Sequence, residues 1–515
     1  MPNAALPLWQ HSRSAPERTA LYGADQEWDY ATLGGHIAGI AARLRAEGVE
    51  PGDRVLLIAP STPEFVAAYY AILSAGAIAV TANPMATTTE LRYIGTDADI
   101  ALILCWRTAL PAAESTAASL HVPCRPLRPD LKGLSTGPGL PAPHPAADDD
   151  TAAIIYTSGT TGQPKGAQLT HGNFTACARI RQQAQDLQPD ERLGTALPLF
   201  HVYGQACIMG TAMRIGASLA LLPRFDPGEM LHLIRRHRLT MAAGVPTMWN
   251  AVLHAPAGDP EDLASLRIAS SGGAPLPIEV KSALESRFGC TVLEGYGLTE
   301  TTGCATIQTE SRRGTPGSVG APAPGCAISI RADDGTEQPA GAIGEIHVHG
   351  PVVMKGYWHR PEATAEVLRD GWFATGDLGI LDDDGDLHIV DRKKDMVIRG
   401  GYKVYPREVE EVLYEHPDIL EAAVIAVPDD HYGEEVGVVV VLRPGRAMEG
   451  EELRTWAKER LSAYKVPHLI AFAPDLPKGA TGKILKRALG PSLFADARAP
   501  RTAPIRNPSR RKPEV

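Results

Sequence analysis

The sequence has few cysteines, and none of them has the spacing of a metal ligand. Seven occur in 515 residues, and no two form a C-x-x-C pair. An odd number of scattered cysteines argues against a disulfide-stapled scaffold and gives no zinc-binding pattern. We expect them to be reduced and mostly buried as small apolar side chains. They are Cys105, Cys124, Cys177, Cys207, Cys290, Cys304 and Cys326.

The sequence also lacks the features of export, membrane insertion or polyanion binding. Residues 1–18 contain no basic segment followed by an apolar run, so we expect no secretory signal and a cytoplasmic location. The long uncharged run 65–89 is interrupted by Gly76, Asn83 and Pro84, which predicts a helix and a buried strand rather than a transmembrane span. The formal charge of -10 is spread along the chain, so we expect no nucleic-acid partner.

The remaining composition is that of a globular enzyme. Hydrophobic residues make up 44% and charged residues 21% of the chain, whose length predicts more than one domain. Short apolar runs alternate with helical patterns such as Pro63–Ser74, which is typical of βαβ units and predicts an α/β fold with mainly parallel sheets. The predicted strands are Arg54–Ile58, Ile78–Thr81, Ile100–Cys105, Ala152–Tyr156 and Ser218–Leu222.

The pattern changes near Gly344, where alternating apolar residues and Asp-Gly turns predict antiparallel hairpins. A small α+β domain follows, with predicted helices at Pro406–Glu415 and Glu451–Leu461 and strands at Leu420–Val427 and Gly437–Leu442. We therefore predict a large N-terminal domain over 1–390 with a β-rich subdomain, a small mobile C-terminal domain over 391–490, and a disordered tail over 491–515.

A run of small hydroxylated residues and glycines follows the strand predicted at 152–156. Its backbone N–H groups and hydroxyls can donate to phosphate oxygens, and Lys165 adds a positive charge. The glycine and lysine spacing is not that of a Walker A loop. The run therefore predicts a phosphate-binding loop, with a Ser/Thr-rich turn without a ligand as the alternative. The loop residues are Thr157, Ser158, Gly159, Thr160 and Thr161.

Six segments, in the same order, resemble the adenylate-forming superfamily, which includes acyl- and aryl-CoA synthetases, adenylation domains and luciferases. The resemblance covers about 28–489 and is most like bacterial fatty acyl-CoA ligases. It implies a reaction in which ATP activates a carboxylic acid as acyl-AMP and CoA then takes the acyl group. The segments begin with the loop at Tyr156–Gly166 and continue with SGGAPLP (Ser271–Pro277), GYGLTET (Gly295–Thr301), GWFATGDLG (Gly371–Gly379), DRKKDMVIRGGYKVYP (Asp391–Pro406) and PKGATGKILK (Pro477–Lys486).

The resemblance implies a nucleotide site. Asp377 would accept hydrogen bonds from the ribose hydroxyls, although a carboxylate in a loop is the alternative. Tyr296 would lie against adenine, and the alternative is a core tyrosine with a bonded hydroxyl. Arg392 would contact ribose or phosphate. The nucleotide-binding set also includes Gly273, Ala274, Glu294 and Gly295.

The resemblance also implies the catalytic groups. Thr299 would contact the α-phosphate, and Glu300 and Thr161 would hold Mg²⁺. Lys165 and Lys483 would meet the charge that develops on the phosphoryl oxygens. Without the resemblance, Glu300 would be interpreted as a surface glutamate and Lys483 as a solvated lysine in a basic segment.

The acid and CoA sites are predicted in two further segments. His201 would line or gate the acid pocket, or be a core histidine, and it is not predicted to be a general base. Gly400 and Gly401 would line a pantetheine tunnel after a rotation about Asp391, and Lys403 replaces the usual Asn or Gln. Residues predicted to shape the acid pocket are Tyr203, Gly204, Cys207, Gly273, Gly297 and Leu298.

The acid itself is not determined by the motifs. The apolar pocket residues favour a medium- or long-chain fatty acid over an aromatic acid. The other interpretations are an adenylate-forming enzyme with a carrier-protein thiol or an amine as acceptor or with nitrite as the activated acid, a phosphotransferase that releases ADP, and an inactive binding protein. The oligomeric state is not predicted.

Overall fold

The structure, a computed structural model, describes residues 3–24, 26–131, 133–135, 139–157, 163–256 and 263–494. The chain forms two compact units. One contains Met1–Lys394 with Lys478–Lys483, and the other contains Asp395–Pro477 and Ile484–Val515. The functional domain boundaries stay a prediction, and the predicted disorder of 495–515 lies outside the described residues.

Helices and strands alternate through most of the described chain. The helices are α1 (Leu6–Ser14), α2 (Tyr30–Ala46), α3 (Pro63–Ser74), α4 (Thr88–Asp97), α5 (Leu110–Leu120), α6 (His171–Ala184), α7 (Thr211–Ile215), α8 (Pro227–His237), α9 (Pro246–His254), α10 (Ile278–Phe288), α11 (Pro361–Val367), α12 (Pro406–Tyr414) and α13 (Gly450–Lys458). The strands are β1 (Thr19–Tyr22), β2 (Glu27–Asp29), β3 (Arg54–Ile58), β4 (Ile78–Ala82), β5 (Ile100–Trp106), β6 (Cys124–Leu127), β7 (Thr151–Thr157), β8 (Lys165–Thr170), β9 (Arg192–Thr195), β10 (Ser218–Leu221), β11 (Met241–Gly244), β12 (Ile268–Ser271), β13 (Thr291–Tyr296), β14 (Thr306–Ile307), β15 (Ala321–Pro322), β16 (Ala327–Arg331), β17 (Gly344–His349), β18 (Gly356–Tyr357), β19 (Leu368–Arg369), β20 (Trp372–Leu381), β21 (Leu387–Arg392), β22 (Val397–Arg399), β23 (Tyr402–Val404), β24 (Ile419–Asp429), β25 (Gly433–Leu442) and β26 (Leu469–Phe472).

Two large sheets of the first unit are built mainly from parallel strands. Their orders are β18-β8-β7-β4-β3-β5-β6 and β15-β14-β13-β12-β11-β9-β10-β1-β2. Strands such as β4 are buried at every position, as parallel strands covered by helices on both faces must be. Helix α3 is buried along its whole length, which explains the uncharged run. The predicted α/β class, and a helix followed by a buried strand in place of a transmembrane span, are confirmed.

The predicted β-rich region is an antiparallel sheet in the first unit. Its order is β16-β17-β20-β19, and β21 pairs with β20. Burial alternates along β17, because one face packs on a core and the other does not. The pairing of β20 with β21 places Asp377 opposite Arg392.

The second unit has an antiparallel order β23-β22-β25-β24, and β26 adds to β25 in parallel. Helices α12 and α13 contribute apolar side chains to its core, including Val409, Leu413 and Leu453. The small α+β fold is confirmed, although β25 begins four residues before the predicted strand, at Gly433 rather than Gly437. In the described residues, no helix is both long and apolar enough to cross a membrane.

Candidate active site

A buried carboxylate lies where β13 approaches the β-rich sheet of the first unit. Asp377 is 6% exposed; the Tyr296 hydroxyl donates to its Oδ2 (2.7 Å), and Arg392 Nε lies 3.3 Å from Oδ1. Burial raises the pKa of Asp377, and Arg392 and Tyr296 partly offset this effect. Asp377 lies on strand β20 rather than in a loop. The Tyr296 hydroxyl and the Arg392 guanidinium both favour its ionised form.

The Tyr296 hydroxyl is hydrogen-bonded, to Asp377, as expected for the alternative interpretation of Tyr296 as a core tyrosine. Its ring is partly buried and packs against an apolar cluster that includes Ile346. Burial is the main reason that the pKa of Tyr296 is raised, and neighbouring Asp377 adds to it. A bonded hydroxyl leaves the ring face as the part of Tyr296 that can contact a base, so the two interpretations do not exclude each other.

Glu300 is a buried residue rather than a surface glutamate. It lies in the 3₁₀ turn Thr299–Thr301 and is 8% exposed. Its Oε1 accepts hydrogen bonds from the Tyr357 hydroxyl (2.9 Å) and from Thr157 Oγ1 (3.4 Å). Burial raises the pKa of Glu300, and these two hydrogen bonds act in the opposite direction.

Lys165 lies next to the same tyrosine. Its Nζ is 5.2 Å from the centre of the Tyr357 ring, close enough for a cation–π interaction. Lys165 is the first residue of strand β8 rather than part of the loop, and β18 pairs with β8 so that Tyr357 is opposite Ala167. The predicted loop residues Ser158, Gly159, Thr160 and Thr161 lie outside the described residues.

Tyr357 was missed by the sequence analysis. It joins Glu300 and Lys165, which are 135 positions apart in the chain. Strand β18 has only two residues, too short for a periodic signal, and Tyr357 lies outside the six resembling segments. Only the pairing of β18 with β8 brings Tyr357 to the site.

The other predicted nucleotide-binding residues lie at the ends of neighbouring strands. Gly273 follows β12 with a φ of +81°, a backbone conformation that favours glycine, and Ala274 is next to it. Gly295 lies in β13, where a Cβ would be 3.0 Å from the Thr306 carbonyl oxygen. Glu294 forms an ion pair with Lys281 (3.0 Å). The buried Thr299 is next to Glu300.

The predicted acid-binding segment contains a π-helical stretch, Tyr203–Gly210. Gly204 allows a close backbone approach, because a Cβ there would be 2.5 Å from the Pro198 carbonyl oxygen. Cys207 Sγ is 3.4 Å from the Gly303 carbonyl oxygen, and a Cβ on Gly297 would overlap the Gly303 carbonyl carbon at 2.3 Å. These contacts bring together Cys207 and Gly297, which are far apart in the sequence.

His201 precedes this stretch and is neutral at physiological pH. Burial, together with a smaller effect of the Lys483 charge, lowers the pKa of His201 to about 4. A histidine with this pKa is a weak base, which agrees with the expectation that His201 is not a general base.

Lys483 is electrostatically coupled to both halves of the site. Its charge acts on His201 in the acid segment and on Asp377 in the nucleotide segment. The turn that carries it is anchored in the first unit, because Thr247 Oγ1 donates to the Gly482 carbonyl oxygen (2.7 Å). The Lys483 ammonium is therefore close enough to act on groups at both predicted substrate sites.

Gly400 and Gly401 belong to the second unit. They form the turn between β22 and β23 with φ values of +57° and +87°. The Gly400 N–H donates to the Tyr432 carbonyl oxygen (2.8 Å). Lys403 is exposed on β23. Both glycines adopt angles that other residues rarely tolerate.

The charged groups of the first unit fit a hard cation held mainly by phosphate. In the described ranges, no three His, Cys, Asp or Glu side chains are grouped as a metal site. Glu300 nevertheless offers Oε2, which accepts from no other described side chain, while Oε1 is held by Tyr357 and Thr157. One carboxylate oxygen beside nucleotide phosphates is a common ligand set for Mg²⁺.

Comparison with known proteins gives the class to which this fold and site belong. The chain matches the family model described as AMP-binding enzyme over residues 8–358 and the AMP-binding enzyme C-terminal domain over 408–483. The chain belongs to the AMP-binding enzyme family and is an AMP-forming acid–CoA ligase, which confirms the resemblance and makes ATP and CoA its substrates.

Particular relatives differ in the acid that they use. The chain is 37% identical to a long-chain-fatty-acid–CoA ligase of Bacillus subtilis, over 95% of this chain and 94% of that protein. It is 40% identical to a feruloyl-CoA synthase of an Amycolatopsis species, over 94% and 98%. The ATP-bound structure of MatB from Rhodopseudomonas palustris superposes with a TM-score of 0.90 at 34% identity, covering 96% of this chain and all of that one.

Proposed function

We propose that the residues gathered around Lys483 and Glu300 couple ATP to a carboxylic acid, and that the acyl group of the resulting acyl-AMP passes to CoA. The observation that carries the proposal is the anchoring of the Lys483 turn to the first unit through Thr247 and Gly482, with the Lys483 charge acting on His201 and on Asp377. A cation between an acid site and a ribose site is located where the carboxylate and the α-phosphate must meet.

In the first half-reaction, a carboxylate oxygen of the acid attacks the α-phosphorus in line. The bond from this phosphorus to the oxygen of pyrophosphate breaks, and pyrophosphate leaves with its electron pair. Lys165, Lys483 and the loop hydroxyls stabilise the charge on the phosphoryl oxygens, while Asp377 and Arg392 hold the ribose. Thr299 contacts the α-phosphate.

Glu300 and Thr161 are proposed to hold Mg²⁺. The Tyr357 hydroxyl orients Glu300 so that Oε2 remains available as a ligand. When bound, the metal ion neutralises part of the phosphate charge. Of the two proposed ligands, only Glu300 is among the described residues.

In the second half-reaction, the CoA thiolate attacks the acyl carbon and AMP leaves. We propose that Gly400 and Gly401 let the pantetheine arm pass close to the backbone, since neither presents a side chain. A rotation about Asp391 would withdraw Lys483 and bring these glycines to the acyl-AMP. A carrier-protein thiol stays an alternative acceptor.

The proposed acid is apolar over most of its length. A small apolar cavity has Gly244 in its lining, and the next residue, Val245, lies against Gly273. This cavity supports a medium- or long-chain fatty acid. The 40% identity to a feruloyl-CoA synthase supports an aromatic acid as the second candidate. The residues that line the cavity are Ala196, Phe225, Met230, Ala243, Gly244, Met248, Trp249 and Val252.

Replacement of Lys483 tests the proposal. Lys483→Ala should lower acid-dependent ATP–pyrophosphate exchange by about 10²- to 10³-fold, because a charge that stabilises the transition state is lost. Thioester formation from supplied acyl-AMP and CoA should fall much less. Lys478→Ala, in the same segment, is the control. Equal losses of both half-reactions in Lys483→Ala would contradict the role of Lys483, and formation of ADP instead of AMP would contradict the reaction.

A further inference from the structure

Helix α6 buries a guanidinium that has no carboxylate beside it. Arg181 is 5% exposed, and throughout the described residues it forms no ion pair. It donates to Gln185 Oε1 and to Ser270 Oγ, both at 3.2 Å, and its Nε has no partner there. The groups that it influences electrostatically are Tyr203 and the thiols of Cys177, Cys207 and Cys304. Burying a charge without a counter-ion costs folding free energy, and this cost suggests that Arg181 has a functional role.

The hydrogen bonds of Arg181 have a defined direction. A guanidinium can only donate, so Ser270 Oγ accepts from Arg181. The Ser270 hydroxyl lies 3.1 Å from Tyr203 Oη, and the described chain offers it no other acceptor. Tyr203 Oη has no other acceptor among the described residues either, so the two hydroxyls share one hydrogen bond and one of their two hydrogens is left without an acceptor. A ligand oxygen that accepts from Tyr203 would let Ser270 donate to Tyr203 and would satisfy both hydroxyls. Tyr203 is only 8% exposed.

An unused donor in a buried pair of hydroxyls is unusual, because buried polar groups are nearly always paired. The cost of leaving it unpaired disappears if a bound ligand supplies an oxygen. The chain from Arg181 through Ser270 to Tyr203 is charge-assisted, and this strengthens the last donor.

The series of hydrogen bonds from Arg181 ends at Tyr203, in the predicted acid site. A Cβ on Gly272 would come within 3.3 Å of the Tyr203 ring and 3.5 Å of its hydroxyl oxygen, so that glycine leaves the hydroxyl uncovered. Tyr203 is also two residues from His201, which interacts with Lys483. The donor is therefore close to the place where the acid would be activated.

We propose that Tyr203 binds an oxygen atom at the distal end of the acid, and that Arg181 positions Tyr203 through Ser270. This inference rests on the proposed function and restricts the class of acids that the enzyme would activate. The acid carries a hydroxyl or another oxygen acceptor on the side remote from the carboxylate that reacts. A plain hydrocarbon tail would leave the tyrosine donor unpaired and would be discriminated against.

Two matched pairs of acids test the substrate class. The first pair is 4-hydroxycinnamate and cinnamate, and the second is 10-hydroxydecanoate and decanoate. The measured quantity is the ratio of kcat/KM within each pair, from CoA-dependent AMP formation. We expect the wild-type protein to prefer the hydroxylated member of at least one pair by about tenfold or more, the range for a hydrogen bond to a buried group. The pair that discriminates identifies an aromatic or an aliphatic acid.

Four variants test the residues. Tyr203→Phe should lower that ratio by about tenfold to a hundredfold, since the donor is removed and the ring is kept. Arg181→Met should lower it severalfold, and Arg181→Lys, which keeps the charge, should recover most of the loss. Arg214→Met is the control, because Arg214 also has a buried Nε without a partner but forms no hydrogen bond to Ser270 or Tyr203 among the described residues.

The ratio separates this role from a structural one. If Arg181 only supports the fold, Arg181→Met lowers kcat/KM for both members of a pair equally, and the proposal is wrong. The proposal is also wrong if the wild-type protein prefers cinnamate and decanoate. A third contradicting result is that Arg181→Met slows alkylation of Cys207 and leaves the kcat/KM ratio unchanged, because Arg181 would then serve to balance the charge of a Cys207 thiolate. If Arg181→Met does not fold, the kcat/KM ratio of Tyr203→Phe still tests whether Tyr203 contacts the distal oxygen.

Failure of this inference is distinguishable from failure of the proposed function. If AMP and acyl-CoA form from all four acids without a preference, the acid–CoA ligase remains and only the distal contact is refuted. If none of these acids, and no other acid in a broad panel, supports AMP formation, the proposed function itself fails.

Discussion

Tyr357 connects the residue proposed to hold Mg²⁺ with the lysine proposed to bind phosphate. Its hydroxyl donates to Glu300 and its ring faces Lys165 Nζ. Since burial raises the pKa of Glu300, this hydrogen bond helps to keep the carboxylate ionised. We interpret Tyr357 as a positioning residue for both charged groups.

Tyr357→Phe should weaken the binding of MgATP by about threefold to thirtyfold, because a buried carboxylate loses a donor. Losing this donor raises the pKa of Glu300 further, so binding should weaken with falling pH at a higher pH than in the wild-type protein. Calorimetric titration with MgATP between pH 5 and 8 measures both effects. Tyr357→Leu, which also removes the ring beneath Lys165, should weaken binding more.

Tyr22→Phe, on strand β1 between β10 and β2 and distant in sequence from these residues, is the control for the loss of a phenol. Unchanged MgATP affinity in Tyr357→Phe would remove Tyr357 from the metal-binding arrangement.

Helix α6 has its N-terminus fixed by its own capping residues and by a contact with the start of the chain. Thr170 and Asn173 cap each other's backbone N–H groups at 3.1 and 2.9 Å. His171 Nδ1 accepts a hydrogen bond from the Ala4 N–H (3.0 Å), so this nitrogen must be unprotonated. Burial lowers the pKa of His171 to about 4, against about 6.5 in an unfolded chain.

This difference predicts how stability depends on pH. As the pH falls from about 6.5 to about 4, the unfolded chain binds the His171 proton first, so stability is present above pH 6.5 and is lost across this range. The loss from His171 alone is of the order of 2–4 kcal/mol, and His201 adds to it with the same sign.

His171→Gln should reduce this acid sensitivity, because an amide oxygen can accept from Ala4 without titrating. Denaturant unfolding at a series of pH values measures the slope. His232→Gln, at an exposed position of α8, is the control and should leave the slope unchanged. An unaltered slope in His171→Gln would show that His171 is already protonated in the folded protein.

At the scale of the whole molecule, the two units are proposed to serve different half-reactions. The first carries Lys483, Glu300 and Asp377, and the second carries the turn with Gly400 and Gly401. A substitution in that turn should therefore affect transfer to CoA more than the activation of the acid.

Gly401→Val tests this division. A branched residue at a φ of +87° strains the turn, although no atom lies within 4 Å of an added Cβ. We expect CoA-dependent thioester formation to fall by tenfold or more, and ATP–pyrophosphate exchange to fall less. Gly445→Val is the matched control, because Gly445 also has a positive φ (+77°) and open space. Equal effects of Gly401→Val on both half-reactions would contradict the division.

Much of the fold was accessible from local patterns. Strand β3 and helix α3 have the predicted limits, because continuous apolar residues and a Pro at the helix start are local signals. The position of Lys165 differed from the prediction. The sequence placed this residue in the phosphate-binding loop, whereas it is the first residue of β8, which pairs with β7. No local signal in the loop specified where the returning strand would start.

For the site, the sequence by itself determined the family, the two folds and the groups proposed to bind ATP, because these depend on contiguous segments with characteristic spacing. Only the tertiary structure decided that Tyr357 contacts Glu300 and Lys165, and that Arg181, Ser270 and Tyr203 form one chain of hydrogen bonds. The physical reason is that the pairing of a buried donor or charge depends on distances between strands and helices, and residue spacing along the chain does not contain those distances.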